Sequence, residues 1–368
     1  MKKSTGLLLF FSFLVMVVIM VGLFVTLMIL VLQGTTPNLL GSKRLALVRV
    51  ESAIYDAQRW IDQIKHFQED DSIKGIVLRV ESPGGAVGPS QDLYEAIRKA
   101  QTEHGKIVVA SFGSLAASGG YYIACSADRI VASPGTLTGS IGVYAKFPVA
   151  KELMEKIGVD YQTIKAGEYK DFGSIERGLS DKERAMFQSV IDDTYDQFVE
   201  AVAHGRKRSL TRLLNEWKSD SSETYPFLPD VTAILSAYQA QRQQKALPAQ
   251  AVVEAGSPAV AASEAGEATP PVAAEPEPSP EILMALACAI AEGKIYTGRQ
   301  AKEIGLVDEI GSLEDAIALA GKLAGIPGKP TVVEQKKREF TLLDLLTQGL
   351  ALVRPRATLS PLLYEFPY

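Results

Sequence analysis

Several residue types that common functional sites depend on are scarce in this chain. Only 2 of its 368 residues are cysteine and 3 are histidine. Two cysteines are too few for a disulfide-rich scaffold, and without a C-x-x-C pair or an H-x-x-x-H spacing the dithiol redox and zincin classes are excluded. Basic residues are not in excess either, since 38 Lys and Arg stand against 43 Asp and Glu, a net charge of −5. With no basic block, nothing predicts a nucleic-acid partner.

Apolar sequence, in contrast, is plentiful. Hydrophobic residues make up 47% of the chain and charged residues 22%, which excludes wholesale disorder. At roughly 150 residues per domain, the length suits two domains or one large domain. We therefore expect a folded protein with a sizeable core.

The longest apolar run lies at the N-terminus. Residues 7–32 carry no charge and follow Lys2 and Lys3. As a helix rising about 1.5 Å per residue, this run would be about 39 Å long, enough to cross a hydrocarbon core of about 30 Å with tilt. A cleaved signal peptide would have an apolar region of about 7–15 residues and a small-residue cleavage site, whereas residues 32–34 are Leu-Gln-Gly. We expect one uncleaved membrane anchor.

The charges that flank this run predict its orientation. Lys2, Lys3 and the α-amino group favour a cytoplasmic N-terminus. Lys43, Arg44 and Arg49 weaken that bias, but they belong to a region that is expected to fold and to translocate regardless of charge. We therefore predict a single-pass protein whose remaining chain lies outside the cytoplasmic membrane.

Beyond the run, strand and helix patterns alternate along the chain. Strand-like runs and helical apolar spacings follow one another over residues 45–50, 53–68, 75–80, 89–103, 107–112, 118–127 and 129–132. Residues 107–112 are nearly all apolar, as a parallel strand buried on both faces should be. Ser180 and Glu183 form a capping box that predicts a further helix to about residue 204. This alternation predicts an α/β layer fold.

One stretch departs from this composition. Residues 246–280 are rich in Ala, Pro and Glu and contain no Lys, Arg or aromatic residue. Such a segment buries too little apolar surface to offset its ordering entropy, so we predict a disordered acidic insert. The predicted organisation is a stub and anchor at 1–33, a tether at 34–44, a core at 45–208, an insert at 209–285, the end of the core domain at 286–326 and a tail with an amphipathic helix at 327–368.

A serine lies where a predicted buried strand gives way to a helix. Ser118 is followed by Gly119 and Gly120 and preceded by small residues. A nucleophilic hydroxyl uses this setting, because a tight strand-to-helix turn exposes the side chain and glycines let a substrate backbone approach. The helix N-terminus would also favour a developing negative charge. Alternatively, Ser118 only caps the helix, and the glycines pack that helix against the sheet.

A second glycine turn ends the strand at 75–80. Gly84 and Gly85 follow the Glu-Ser-Pro sequence at 81–83. Glycine-rich backbone at the carboxyl end of a strand can present N–H groups to an oxyanion. A phosphate cradle fits poorly, because neither G-x-G-x-x-G nor a P-loop lysine is present. The simplest alternative is a plain Pro-Gly turn.

A serine nucleophile needs a base, and the sequence offers few. None of the three histidines looks placed for a triad: His66 lies among charges in a predicted helix, His104 precedes a turn glycine and His204 ends a helix. A lysine can serve if burial lowers its pKa from about 10.4. Lys165 and Lys170 are candidates on one loop. The residues themselves leave that choice open, and each could equally be a solvated loop lysine.

Five motifs in this order resemble the signal peptide peptidase A family. These are bacterial membrane-anchored serine–lysine peptidases whose fold is related to the Clp protease proteolytic subunit and to crotonases. The matching stretches are 81–85, 114–122, 137–143, 164–171 and 293–308. The similarity covers roughly residues 45–208 and 292–326, so it is interrupted by the predicted insert.

The resemblance implies a role for each candidate residue. Ser118 corresponds to the nucleophile and Lys170 to the general base, and Ser140 looks placed to hydrogen-bond that lysine. The oxyanion donors correspond to the backbone of Gly119 and of the Gly84-Gly85 turn. No metal or organic cofactor is implied.

The resemblance also implies substrates and partners. The expected substrates are remnant signal peptides and other short or unfolded peptides. The chain has one copy of the catalytic core, as half-length members do, and those members form homo-oligomeric rings in which neighbouring subunits complete each site. The expected location is the bacterial inner membrane, with the catalytic domain on the periplasmic side.

Two other classes of function remain open at this point. A crotonase-like acyl-CoA enzyme would use the same kind of oxyanion turn on a thioester. A non-catalytic membrane scaffold would keep the fold with an inactive site. The anchor and the Ser118 and Lys170 pair speak against the first, and labelling by a serine-reactive fluorophosphonate would separate the second from a working peptidase.

Overall fold

The computed structural model of the chain describes residues 13–26, 28, 43–219, 231–246, 278–335 and 363–364. The chain divides into two units, residues 1–43 and 44–368, which are described separately. In the first unit, residues 13–26 form a helix, α1. Among the described residues, no helix is both long enough and apolar enough to cross a membrane. Residues 7–12, 27 and 29–32 of the predicted anchor lie outside the described ranges, so the anchor stays a prediction.

The second unit is built around a mixed β-sheet. Its strands are β1 Arg44–Glu51, β2 Ile73–Ser82, β3 Gly85–Ala86, β4 Ile107–Ala117, β5 Arg129–Ala132, β6 Leu137–Gly139, β7 Ile295–Thr297, β8 Glu309–Ile310, β9 Thr331–Glu334 and β10 Leu363–Tyr364. Within the described residues, eight strands form one sheet in the order β7-β6-β4-β2-β1-β9, with β5 beside β4 and β8 beside β5. All of its pairs are parallel except β6 with β7. The remaining two strands, β3 and β10, form a separate antiparallel pair.

Helices cover both faces of the large sheet. They are α2 Gln58–Glu69, α3 Val87–Thr102, α4 Gly119–Ala124, α5 Lys151–Ile157, α6 Asp181–Gly205, α7 Lys207–Ser219, α8 Val231–Ala246, α9 Pro280–Ile290, α10 Gly298–Glu303 and α11 Leu313–Leu323. Successive strand residues point to opposite faces. Ala46 and Val48 of β1 therefore join the core under α2, α3, α4 and α6, whereas Leu45 and Leu47 face α11. The predicted α/β layer architecture is confirmed.

Strand β4 is longer than the sequence predicted. It continues past Phe112 to Ala117, because its pairing with β2 shifts register on the way. Val80 pairs with Phe112, but Ser82 pairs with Ala116. A β-bulge of this kind bends a strand and re-aims the residues that follow it. The bulge lets β4 stay in the sheet until it reaches the next turn.

The predicted insert at 209–285 begins inside α7. Leu210 of α7 is buried in the large core, and Leu283 of α9 is buried there too. α8 packs against α9 in a smaller cluster. Residues 247–277, most of the Ala/Pro/Glu-rich segment, lie outside the described residues, and so does the amphipathic pattern at 341–353.

A buried ion pair ties the start of α7 to the sheet. Arg206 is 2% exposed, and its Nη2 lies 2.6 Å from Asp308 Oδ2. The same carboxylate accepts the Ile130 N–H at 2.7 Å and the Ser209 hydroxyl at 2.9 Å. Burial alone would raise the pKa of the Asp308 carboxyl, but Arg206 and these donors hold that pKa below its usual value. Removing one partner of such a pair leaves an uncompensated buried charge and lowers the stability of the fold by about 3–5 kcal/mol.

Candidate active site

Ser118 occupies a strained turn between β4 and α4. It is the N-cap of α4 with φ 54° and ψ −121°, a positive φ that non-glycine residues seldom adopt. The Ser118 N–H donates to the Gly139 carbonyl at 2.8 Å, and the Tyr122 N–H donates to the Ser118 carbonyl at 2.8 Å. Such a conformation costs about 1–3 kcal/mol and persists only where the surrounding structure enforces it. The sharp strand-to-helix turn predicted from the sequence is present.

The Ser118 hydroxyl is buried and has no hydrogen bond. The residue is 1% exposed, and its Oγ has no partner among the described residues. A capping serine would accept a backbone N–H from the first turn of its helix. No such bond forms at α4, so the capping interpretation is wrong. An unpaired buried hydroxyl costs about 1–3 kcal/mol.

Glycines let the end of β2 and the turn after it pack closely against neighbouring backbone. A Cβ on Gly120 would lie 2.8 Å from the Ser82 carbonyl oxygen. A Cβ on Gly85 would overlap the backbone of Ile54, which bridges to this turn. The Gly84-Gly85 turn therefore extends from a strand end that packs directly against the start of α4.

The three predicted oxyanion glycines differ in how free their N–H groups are. Gly119 stands at the first helical position of α4, where a backbone N–H has no intrahelical acceptor. The Gly84 N–H, in contrast, donates to Ser82 Oγ at 3.2 Å. The Gly84 carbonyl accepts the Ile54 N–H at 2.7 Å. Because Gly84 is engaged within its own turn, Gly119 is a better candidate than Gly84 for binding an oxyanion.

Ser140 follows β6, the neighbour of β4. Ala117 and Gly139 pair across these two strands, so Ser118 and Ser140 each come directly after a paired residue. Ser140 has φ 50° and is 6% exposed, and its N–H donates to the Lys294 carbonyl at 2.6 Å. The structure therefore brings both serines and the predicted oxyanion glycines to one end of the sheet.

Lys170 is not joined to Ser118 within one chain. It lies in an exposed turn, where its N–H donates to the Gly167 carbonyl at 3.3 Å. Among the described residues, its side chain has no hydrogen-bond or ion-pair partner. The Ser118 hydroxyl is unpaired too, so the predicted nucleophile and the predicted base form no hydrogen bond with each other.

The other candidate lysine is tied to its own loop. Lys165 Nζ donates to the Glu168 carbonyl at 2.9 Å and forms an ion pair with Asp171. A lysine side chain that is engaged by a carboxylate and a carbonyl of its own loop is not available to a serine. These contacts favour Lys170 over Lys165 as the base, a choice that the sequence motifs could not make without the family resemblance.

An ionic network fixes the loop that carries Lys170. Arg177 Nη2 lies 3.0 Å from Asp171 Oδ2 and 2.6 Å from Glu183 Oε1. Arg177 and then the backbone of Ser180 hold the pKa of Glu183 well below its usual range. Because Glu183 is also the capping-box residue of α6, the loop is joined to the start of that helix. Arg177 could not be identified from the sequence, since nothing local marks an arginine that joins two carboxylates.

An aromatic cluster holds the same loop against α6. The ring of Phe172 stacks on that of Phe187 with centroids 4.8 Å apart. Phe147 contacts both rings edge-on, at 4.9 and 5.2 Å. These contacts therefore pack the chain on both sides of the loop, whereas the Lys170 side chain is exposed to solvent.

Other groups that could carry chemistry take no part in this site. All three histidines are exposed, and none bonds the Ser118 hydroxyl. Neither Cys125 nor Cys288 forms a disulfide bond, and burial raises the pKa of the Cys125 thiol to about 12, which leaves it a poor nucleophile. In the part of the chain that the structure describes, no group of three or more His, Cys, Asp or Glu side chains could hold a metal ion.

Fold and site together define a class of protein. A buried, unpaired serine on a strained turn after a parallel strand, with glycine backbone beside it, is the arrangement of a serine hydrolase. The sequence profile of Clp protease matches residues 35–135. The fold is thus a Clp protease-like α/β fold with a mixed sheet.

Sequence relatives identify the family. The profile of peptidase family S49 matches residues 100–216 and 282–327. A putative protease of Synechocystis sp. is 32% identical over 83% of this chain and 84% of its own length. A putative protease of Methanocaldococcus jannaschii is 29% identical over 88% and 86%, and a putative signal peptide peptidase of Enterococcus faecium is 40% identical over 41% and 44%. The chain belongs to peptidase family S49, the signal peptide peptidase A family, and is a serine peptidase.

Proposed function

We propose that the chain is a membrane-anchored serine endopeptidase that uses Ser118 and Lys170 to degrade remnant signal peptides and other short or unfolded peptides. The observation that carries this proposal is the Ser118 hydroxyl, which is buried on a strained turn without any hydrogen bond. The family assignment makes the chain a serine peptidase, so the acyl-CoA and non-catalytic alternatives are not favoured.

The proposed reaction needs no group beyond the chain and water. Neutral Lys170 takes the proton of Ser118 as Oγ attacks the peptide carbonyl, and the N–H groups of Gly119 and Gly85 bind the oxyanion. The protonated lysine then gives its proton to the leaving amine, and the C–N bond breaks. Finally, Lys170 activates a water molecule that hydrolyses the acyl-enzyme ester and frees the serine.

A second copy of the chain supplies the lysine in this proposal. Lys170 is solvent-exposed and unpaired, which supports a base that becomes buried beside the serine of another subunit. The segment from α5 to Lys170 also exposes apolar side chains, including Leu153 and Ile157 of α5 and the fully exposed Ile164. Several exposed apolar side chains on one segment are a feature of protein interfaces. These features support a homo-oligomeric ring with sites shared between neighbours.

Extended peptides suit the backbone beside the oxyanion turn. Gly85 and Ala86 already pair with an extended segment, since Tyr364 and Leu363 lie antiparallel to them. Main-chain pairing of this kind binds a peptide without reading its sequence, which suits the varied segments left after signal cleavage. The similarity to a putative signal peptide peptidase of Enterococcus faecium supports the substrate class. The uncharged run at 7–32 supports an anchor in the bacterial inner membrane, with the site on the periplasmic side.

The test is peptide cleavage by the full chain purified in detergent. Wild-type protein should cleave casein and a synthetic signal peptide, and Ser118→Ala should lower kcat by about 10⁴–10⁶. Lys170→Ala should lose a comparable factor, because the two residues act as a unit. Wild-type activity retained by Ser118→Ala would overturn the assignment of the nucleophile. Cleavage of casein without cleavage of any signal peptide would overturn the substrate class alone.

A further inference from the structure

The register between β2 and β4 shifts just before β4 reaches Ser118. On β2, Glu81 alone separates Val80 from Ser82, whereas three residues separate their partners Phe112 and Ala116 on β4. Extra residues in a bulge lose their ladder partners, and unpaired backbone N–H groups inside a sheet are costly. The bulge therefore needs another source of hydrogen-bond acceptors.

The side chain of Glu81 supplies these acceptors. Its Oε2 accepts the Ser114 N–H at 2.7 Å, and its Oε1 accepts the Leu115 N–H at 3.1 Å. Hydrogen bonds to a carboxylate are stronger than those to a neutral carbonyl. A Cβ at residue 113 would overlap Glu81 Oε2, so glycine leaves room for the carboxylate in this position.

Neighbouring side chains hold the carbonyl groups of the same bulge. Arg79 Nη1 donates to the Phe112 carbonyl at 2.8 Å, and Thr136 Oγ1 donates to the Gly113 carbonyl at 2.7 Å. The N–H groups of Ser114 and Leu115 and the carbonyls of Phe112 and Gly113 thus all have hydrogen-bond partners. These bonds make the bulge a fixed feature of the sheet.

We propose that Glu81 is a positioning residue for catalysis, and this proposal rests on the function proposed above. Its carboxylate locks the strand that carries Ser118 to the strand that carries the Gly84-Gly85 turn. Ser118 comes three residues after Leu115, and Gly84 comes three residues after Glu81. The two bonds therefore set the position of the attacking oxygen relative to the oxyanion N–H groups. A misplacement of about 1 Å can cost about 100-fold in rate.

The variant Glu81→Gln tests this role with almost no change of shape. One acceptor oxygen becomes an NH₂ group that faces a backbone N–H and cannot accept from it. We expect kcat to fall about 10- to 100-fold with KM within about twofold, and fluorophosphonate labelling of Ser118 to slow by a similar factor. Glu81→Asp keeps both oxygens on a shorter stem and should show a kcat above that of Glu81→Gln.

Glu51→Gln is the matched control. Glu51 is the register partner of Glu81 on β1, is exposed and has no bond to β4. It should keep wild-type kinetics. The proposal is wrong if Glu81→Gln equals Glu51→Gln in kcat and labelling rate. It is equally wrong if the loss of kcat merely matches a loss of folded protein measured by thermal unfolding. Absence of labelling at Ser118 in the wild type would instead contradict the proposed function.

Discussion

Mixing Ser118→Ala subunits with Lys170→Ala subunits should restore part of the activity that each variant lacks. In a single chain the Ser118 hydroxyl has no partner and Lys170 is exposed, so a working site is proposed to form where two chains meet. After complete exchange of equal amounts, about one interface in four pairs an intact serine with an intact lysine, because closed rings use the same interface throughout. The expected rate is therefore about one quarter of the wild-type rate.

The assay combines exchange with a peptide-cleavage rate. The two variants carry different affinity tags, and copurification through both tags proves that mixed assemblies have formed. The matched control mixes Ser118→Ala with the double variant Ser118→Ala/Lys170→Ala, which has no intact serine and should remain inactive. If the first mixture also stays at background while its tags copurify, both residues come from one chain and the shared-site reasoning fails.

Three further outcomes follow from the same structure. Lys165→Ala should lower kcat only about tenfold by loosening its loop, against at least about a thousandfold for Lys170→Ala, and the reverse order in a cleavage assay would reassign the base. Asp308→Asn should lower the free energy of unfolding in urea by about 3–5 kcal/mol at pH 7, because it leaves Arg206 buried and unpaired. Folding lowers the pKa of Asp308, so the difference in unfolding free energy between variant and wild type should have its full size above about pH 4. It should shrink as the pH falls through the folded-state pKa. A difference that stays constant down to about pH 2 would contradict this. Deleting residues 247–277 should leave peptidase activity within about twofold, since the family match skips them, and a loss of activity would show that they serve the site.

The Ser118 turn could be predicted because its signals are local. A buried apolar strand, a serine and two glycines stand next to one another in the sequence, and the backbone needs small residues at those positions. The same is true of the capping box of Ser180 and Glu183, which starts α6 as predicted. Such features depend on residues within one or two turns of chain, and a single sequence contains all of them.

The contacts that connect distant segments could not be predicted in this way. The length of β4 depends on Glu81, more than thirty residues earlier, whose carboxylate completes the bulge at Ser114. The choice between Lys165 and Lys170 depends on Asp171, which holds one ammonium group and leaves the other free. In both cases a side chain forms hydrogen bonds or an ion pair with a group that only the folded sheet or loop brings close to it. No local sequence pattern marks that group.

The exposed, unpaired Lys170 has a consequence for control of the enzyme. A protease whose nucleophile and base come from different molecules obeys the law of mass action, so its specific activity depends on its own concentration. In the proposed shared-site enzyme, newly made chains that are still dilute in the proposed membrane would be harmless to neighbouring proteins. Dilution would switch the enzyme off without any inhibitor, and crowding of subunits in two dimensions would switch it on.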